Sequence, residues 1–121
     1  MKVKCICLHD VSGKSQEKSA WLTIGKVYHA LEINQNSNKK WMIRLVGDGL
    51  NGAALFPLEE FEIVTHKLPD SWIIKWGKEG FFRLTPEPWS HAGFWERFYD
   101  KDPDAMRVFE REKGKIINAD P

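Results

Sequence analysis

Five short apolar runs fill the first half of this chain, at residues 2–8, 25–34, 41–46, 53–56 and 61–64, and turn-forming residues stop each one before an amphipathic helix could develop. In the first run Val3, Cys5 and Cys7 share one face, with the lysines and Ile6 on the other. In the third, Trp41, Ile43 and Leu45 alternate with Met42, Arg44 and Val46, the period of a half-buried strand. Between 25 and 34 the alternation fails at Val27, Ala30, Leu31 and Ile33, which predicts a bend or bulge. The connections read as a long polar loop at 9–20, a turn at Asn34-Gln35-Asn36-Ser37-Asn38, and a glycine turn at 47–52. Pro57-Leu58-Glu59-Glu60 reads as a single tight helical turn. Five short strands joined in this way close most economically as a small β-barrel over residues 1–65.

The second half changes style. Leu68-Pro69-Asp70-Ser71 reads as a linker, and residues 72–76 and 81–84 flank Gly77-Lys78-Glu79-Gly80 as a hairpin. Thr85-Pro86-Glu87 looks like a helix start, running on or restarting near Ser90 through Tyr99. Phe94 with Phe98 and Trp95 with Tyr99 give that helix an aromatic stripe, which Gly93 weakens locally. A second helix has Asp102 as cap, Pro103 at its first position, Asp104 suited to the dipole, and Ala105, Met106 and Phe109 as its buried stripe; Gly114 is expected to end it. The expected fold class is therefore α+β: a five-stranded barrel, then a β-hairpin and two C-terminal α-helices over 66–121, packed into a single domain spanning 1–121.

Charge narrows the function classes. The 18 basic and 17 acidic residues nearly cancel. They divide as 8 against 7 through Thr65 and 10 against 10 beyond it, so neither half forms the concentrated positive surface that phosphate-backbone binding requires. Cys5 and Cys7 are the only cysteines, and two residues apart on one strand they suit free thiols in a reducing compartment. The apolar stretch after the basic start ends by His9, too short for a signal-peptide core or a membrane span, so the expected location is the cytoplasm, with no membrane partner.

Candidate chemistry is sparse. Cys5, Cys7 and His9, helped by His29, His66 or His91, offer too few thiolates at the wrong spacing for structural zinc, and a core role for the cysteines is the simpler reading. The chain shows no nucleophile elbow, catalytic-cysteine signature or phosphate loop, and Gly47 to Gly52 lacks the lysine and helix of a phosphate cradle. Binding rather than catalysis, without metal or cofactor, is the expectation.

Gly25-Lys26-Val27-Tyr28 with Leu31-Glu32, then residues 41–45, Ala54-Leu55-Phe56-Pro57 and Phe61-Glu62-Ile63, resemble the SH3 family over about residues 22–64. The resemblance implies an SH3-like barrel in which the strand carrying Leu55-Phe56-Pro57 leads into a 3₁₀ turn and a last strand. Pro57 matches the family's groove proline, and Trp41 its tryptophan region, or Lys40 with a shift of one residue. Glu60 stands where the groove tyrosine is expected, Glu59 takes the place of its asparagine neighbour, and the loop at 9–20 has no tyrosine. The barrel carries over; recognition of proline-rich peptides does not.

Six tryptophans exceed what a small core needs, and Trp72 and Trp76, four apart on one strand, share a face that could remain exposed as an interface anchor. Trp89, Gly93-Phe94-Trp95-Glu96, Tyr99-Asp100, Asp102-Pro103, Ala105 and Phe109-Glu110 resemble the end of small immunity proteins from bacterial toxin–immunity systems of the contact-dependent inhibition type. That resemblance implies a protein partner, a cognate toxin neutralised by stoichiometric binding, though near-neutral charge is a point against a nuclease toxin. The candidate partner-binding residues are Lys40, Trp41, Asp48, Glu59, Glu60, Trp72, Trp76, Trp89 and Glu96. The alternative is a small RNA-binding regulator using Lys39-Lys40-Trp41 and Arg44, a patch that reads more simply as a solvated hairpin end.

Overall fold

Val3 and Cys5 bury their side chains from β1 (Lys2–Cys5) while Lys2 and Lys4 stay partly exposed, as the alternation requires. A computed structural model describes residues 1–49, 52–77 and 81–121. Within it β1 pairs antiparallel with β4 (Val27–His29) on one side and β8 (Phe61–Thr65) on the other. The segment expected to be one plain loop holds a two-stranded ribbon of β2 (Leu8–His9) and β3 (Ser15–Gln16). Asp10 makes it: its Oδ1 accepts from the backbone N–H of Ser12 at 2.9 Å and of Lys14 at 3.1 Å, and Gly13 supplies a positive φ of 85°.

The irregular run at 25–34 bends as expected. It splits into β4 and β5 (Glu32–Gln35), so that one stretch of chain serves two sheets. β5 joins β6 (Trp41–Leu45), β7 (Ala54–Pro57), β9 (Trp72–Trp76) and β10 (Phe82–Pro86) in a five-stranded antiparallel sheet of order β7-β6-β5-β10-β9. The expected 3₁₀ turn, Leu58–Glu60, leads from β7 into β8. Val3, Cys5, Tyr28 and Phe61 of the smaller sheet share one buried cluster with Ile33, Ile43 and Leu45 of the larger. The ladders among the described residues do not form a closed cylinder: the bend and the 3₁₀ turn join two sheets across that cluster. Leu50-Asn51 of the expected glycine turn and Lys78-Glu79-Gly80 of the hairpin turn lie outside the described residues.

The helical part departs from expectation at its start. Thr85 and Pro86 are buried in β10, and a 3₁₀ turn, Glu87–Ser90, follows them. Gly93, at φ 81°, sets off the short helix α1 (Phe94–Tyr99). α2 (Pro103–Ala119) begins as read, with Asp102 Oδ2 accepting from the Ala105 N–H at 3.0 Å. It does not end at Gly114. Burial of Ile116 carries the helix past that glycine, outweighing a penalty of about 1 kcal/mol. A second buried cluster gathers Leu31, Ala53, Trp89, Phe94, Phe98, Ala105, Phe109 and Ile116, and Trp72 packs against both clusters. Beyond α2, the Asp120 carboxylate accepts a hydrogen bond from the Thr65 hydroxyl. Among the described residues no helix is long and apolar enough to cross a membrane.

Gly114 has ordinary helical backbone and open space where a Cβ would go. Gly114→Ala is therefore expected to raise stability by about 0.5–1 kcal/mol in urea unfolding. Phe109→Ala, which removes a fully buried ring stacked on Trp89, should lower it by about 3–5 kcal/mol in the same measurement.

Candidate functional site

Cross-strand register places Trp41, Gln35, Phe82 and Trp76 in one row across β6, β5, β10 and β9. The Phe82 ring stands edge-on to both tryptophans, with centroids 5.5 Å from Trp41 and 5.6 Å from Trp76. Because side chains alternate, this row lies on the same face as Ile43, Ile33, Leu84 and Ile74, two residues along each strand. The core-facing surface of the sheet thus runs out beyond the core. Trp76 is 76% exposed, Ile74 64% and Trp41 42%, with Phe81 exposed beside them.

The opposite face of the same strands is polar. Glu32 is fully buried, and its Oε2 accepts from Arg44 Nε at 3.0 Å and Asn34 Nδ2 at 3.1 Å. Arg44 then ties the sheet to α1: its guanidinium lies 3.7 Å from the Trp95 ring centroid, and its Nη1 donates to the Tyr99 hydroxyl at 2.9 Å. The Tyr99 hydroxyl in turn donates to the Ala53 carbonyl at 2.7 Å. Glu32 Oε1 has no partner among the described residues. Glu32, Asn34 and Arg44 floor a cavity of about 480 Å³, whose lining also includes Lys75, Trp76 and Arg83. Its charged lining is three cations to one carboxylate, so it suits a polar, net-anionic group lying against an aromatic wall.

The nine candidate residues separate. Lys40, Trp41 and Glu59 meet with Leu58 around a shallow cavity of about 300 Å³. Trp76 joins Trp41 through Phe82, and Trp72 lies on the same strand face, half-buried. Asp48 belongs to a separate cluster, where its carboxylate accepts from Lys26 Nζ at 2.5 Å, the Thr23 hydroxyl at 2.6 Å and the Tyr28 hydroxyl at 3.1 Å. Glu96 is exposed on α1. Two candidates are corrected by burial. Trp89 has no exposed surface and stacks on Phe109, while Glu60 is buried with its Oε2 accepting the His9 N–H at 2.8 Å, so both belong to the frame. Arg44, the strand member of the RNA patch, is likewise buried and committed to Glu32.

Phe82 in the aromatic row, Phe81 and Ile74 beside it, and Glu32, Asn34, Lys75 and Arg83 in the cavity, were not legible as site residues. For Ile74, Lys75, Phe81, Phe82 and Arg83 the only sequence signal is the hairpin at 72–84, and for Glu32 and Asn34 the strand at 25–34; that the two pair had to be known first. The cysteines and histidines do not converge: Cys5 is buried, His29 bonds the Asp120 carbonyl, His91 pairs with Glu87, and no cluster able to hold a metal occurs among the described residues. Burial and, secondarily, the charge of Glu60 push the Cys5 thiol above its ordinary value, which makes it less reactive.

The Lys26 ammonium, then the Thr23 hydroxyl, hold the Asp48 carboxyl below its usual value, and the Thr65 hydroxyl does the same for Asp120. A lowered folded-state value means that the stabilisation is complete above the unfolded one and is lost as pH falls through the folded one. The melting temperature should therefore be level down to about pH 4 and fall below it, less steeply in Asp48→Asn. Arg44→Met, which strands the buried Glu32 carboxylate, should cost about 3–5 kcal/mol, and Glu32→Leu added to it should recover most of that loss in chemical unfolding.

Comparison with known proteins finds no matching family model, curated protein or solved structure, so the functional reading rests on the geometry of this chain.

Proposed function

We propose that the protein is a protein-binding module, and most concretely an immunity protein that neutralises a cognate bacterial toxin by stoichiometric binding. The observation that carries the reading is the Trp41–Phe82–Trp76 row, an aromatic surface on the uncovered end of the core face. Tryptophans bury about 150–250 Å² each when covered and dominate interface energetics, often at 2 kcal/mol or more apiece. Lys40 and Glu59 beside Trp41 supply charges of both signs at the rim, as a protein contact uses. The commitment of Arg44 to Glu32 weighs against the RNA alternative, since it removes the strand cation from the basic patch. In this reading the protein acts by occupancy, in the cytoplasm, without cofactor or turnover. In this reading the frame is SH3-like in its strand order, though its ladders do not close into a cylinder: the order β4-β1-β8, the bend into β5, the run β5-β6-β7 and the 3₁₀ turn into β8 support it.

The test is affinity capture from the source bacterium's lysate, with and without nuclease. One protein should be retained at equal stoichiometry after nuclease treatment, and recovery of RNA alone would sink the proposal. Trp41→Ala and Trp76→Ala should each weaken the complex by about 30-fold, measured by calorimetry with the captured partner, while changing folding stability by no more than about 0.5 kcal/mol for Trp76.

A further inference from the structure

Among the described residues no strand pairs with the outer edge of β9, and Lys75 is its one charge. β9 is the last strand of the larger sheet, and its sequence is Trp72-Ile73-Ile74-Lys75-Trp76, without proline or glycine and with one charge. Residues 73–76 are all exposed. The other edges of the two larger sheets are blunted: β7 ends in Pro57, β4 is three residues long, and the chain just beyond α2 lies against β8 through the Thr65–Asp120 bond.

Hydrogen-bond parity shows what this edge offers. The Gly77 N–H donates to the Phe81 carbonyl at 2.8 Å, so in the β9–β10 ladder the pairs Lys75 with Arg83 and Ile73 with Thr85 also bond inward. Trp72, Ile74 and Trp76 are the alternate residues, and they turn their backbone groups to the open side. Pro86, opposite Trp72, fits this parity because it has no N–H to give. The Trp72 N–H is already taken by the Pro69 carbonyl at 3.1 Å; the Ile74 N–H and carbonyl, the Trp76 N–H and the Trp72 carbonyl face outward.

We infer that β9 pairs with β9 of a second copy of this chain, antiparallel about a two-fold axis at Ile74. That register sets Ile74 against Ile74 and Trp72 against Trp76, all on the apolar face, and Ile73 against Lys75 on the other. No like charges oppose one another, whereas a register centred one residue later would set Lys75 against Lys75. The outward groups then form four backbone hydrogen bonds, two between the paired Ile74 residues and one from each Trp76 N–H to the opposite Trp72 carbonyl. Edge pairing joins the two five-stranded sheets into one continuous sheet and leaves Trp41, three strands from the new contact, outside it. The inference depends on the strand edge, so it stands apart from the partner reading above.

Sedimentation equilibrium of the purified full chain from micromolar to near-millimolar concentration tests it. A monomer–dimer equilibrium is expected, and Ile74→Lys, which puts like charges together on the axis, should weaken it at least tenfold with an unchanged far-UV spectrum. A chain that stays monomeric throughout, or a dimer that Ile74→Lys leaves intact, would overturn the inference. Cross-linking guards against an uninformative variant. On a background lacking Cys5 and Cys7, Ile74→Cys should oxidise to a covalent dimer readily, since bonded antiparallel partners place their Cα atoms about 5.5 Å apart, within disulfide range. Lys75→Cys should do so poorly; equal rates for the two would count against an axis at Ile74.

Discussion

The change of direction at Ala30 and Leu31 is the constraint from which the rest of the architecture follows. Ala30 is fully buried in the cluster between the two sheets, and Leu31, the next residue, is buried in the cluster beneath the helices. Successive side chains on an extended chain point to opposite sides, so one dipeptide nails the strand between two cores. The backbone groups there are satisfied too, Ala30 N–H by the Met1 carbonyl at 3.0 Å and Leu31 N–H by the Arg44 carbonyl at 2.9 Å. A bend that would otherwise expose polar backbone becomes the joint of the molecule.

From that joint the asymmetry of the large sheet follows. β5 leaves the bend with one edge taken by β6 and the other free, and β10 takes the free edge, bringing β9 with it. The hairpin thereby widens the sheet past the area the small sheet can cover. Its core-side residues at the far end, Phe82 and Trp76, meet Trp41 where both tryptophans stay exposed. On the other face the helices cover the strands only in part, and Arg44 spans the gap between sheet and α1. A buried ion pair such as Glu32–Arg44 contributes little net stability but strongly disfavours any arrangement that separates its partners. Held by Glu32, Arg44 fixes α1 over β6 through Trp95 and Tyr99.

Local signals were legible where the physics is local. Asp102 and Pro103 start α2 because a carboxylate there can accept an orphan N–H and a proline there loses no hydrogen bond. The alternation at 41–46 and the turn at Pro57 to Glu60 likewise needed no partner to be recognised. Gly114 misled because propensity is a small local term, outweighed by burial of Ile116 two residues on. Trp89 misled as a site residue for a related reason: an aromatic side chain carries no mark of whether the tertiary fold will cover it. Of the candidate surface, Trp41 and Trp76 were legible singly, and their union through Phe82 was not.

The amino-acid sequence by itself determined the elements: short strands, a 3₁₀ turn, a hairpin, two helices, free thiols and a balanced charge. These depend on periodicity, caps and composition, all of which act over a few residues. Only the tertiary structure decided which strand neighbours which, and therefore which tryptophan is core and which is surface. Strand pairing joins residues as distant as Gln35 and Phe82, and its energy depends on register and on what covers each face, terms that no short window of sequence contains.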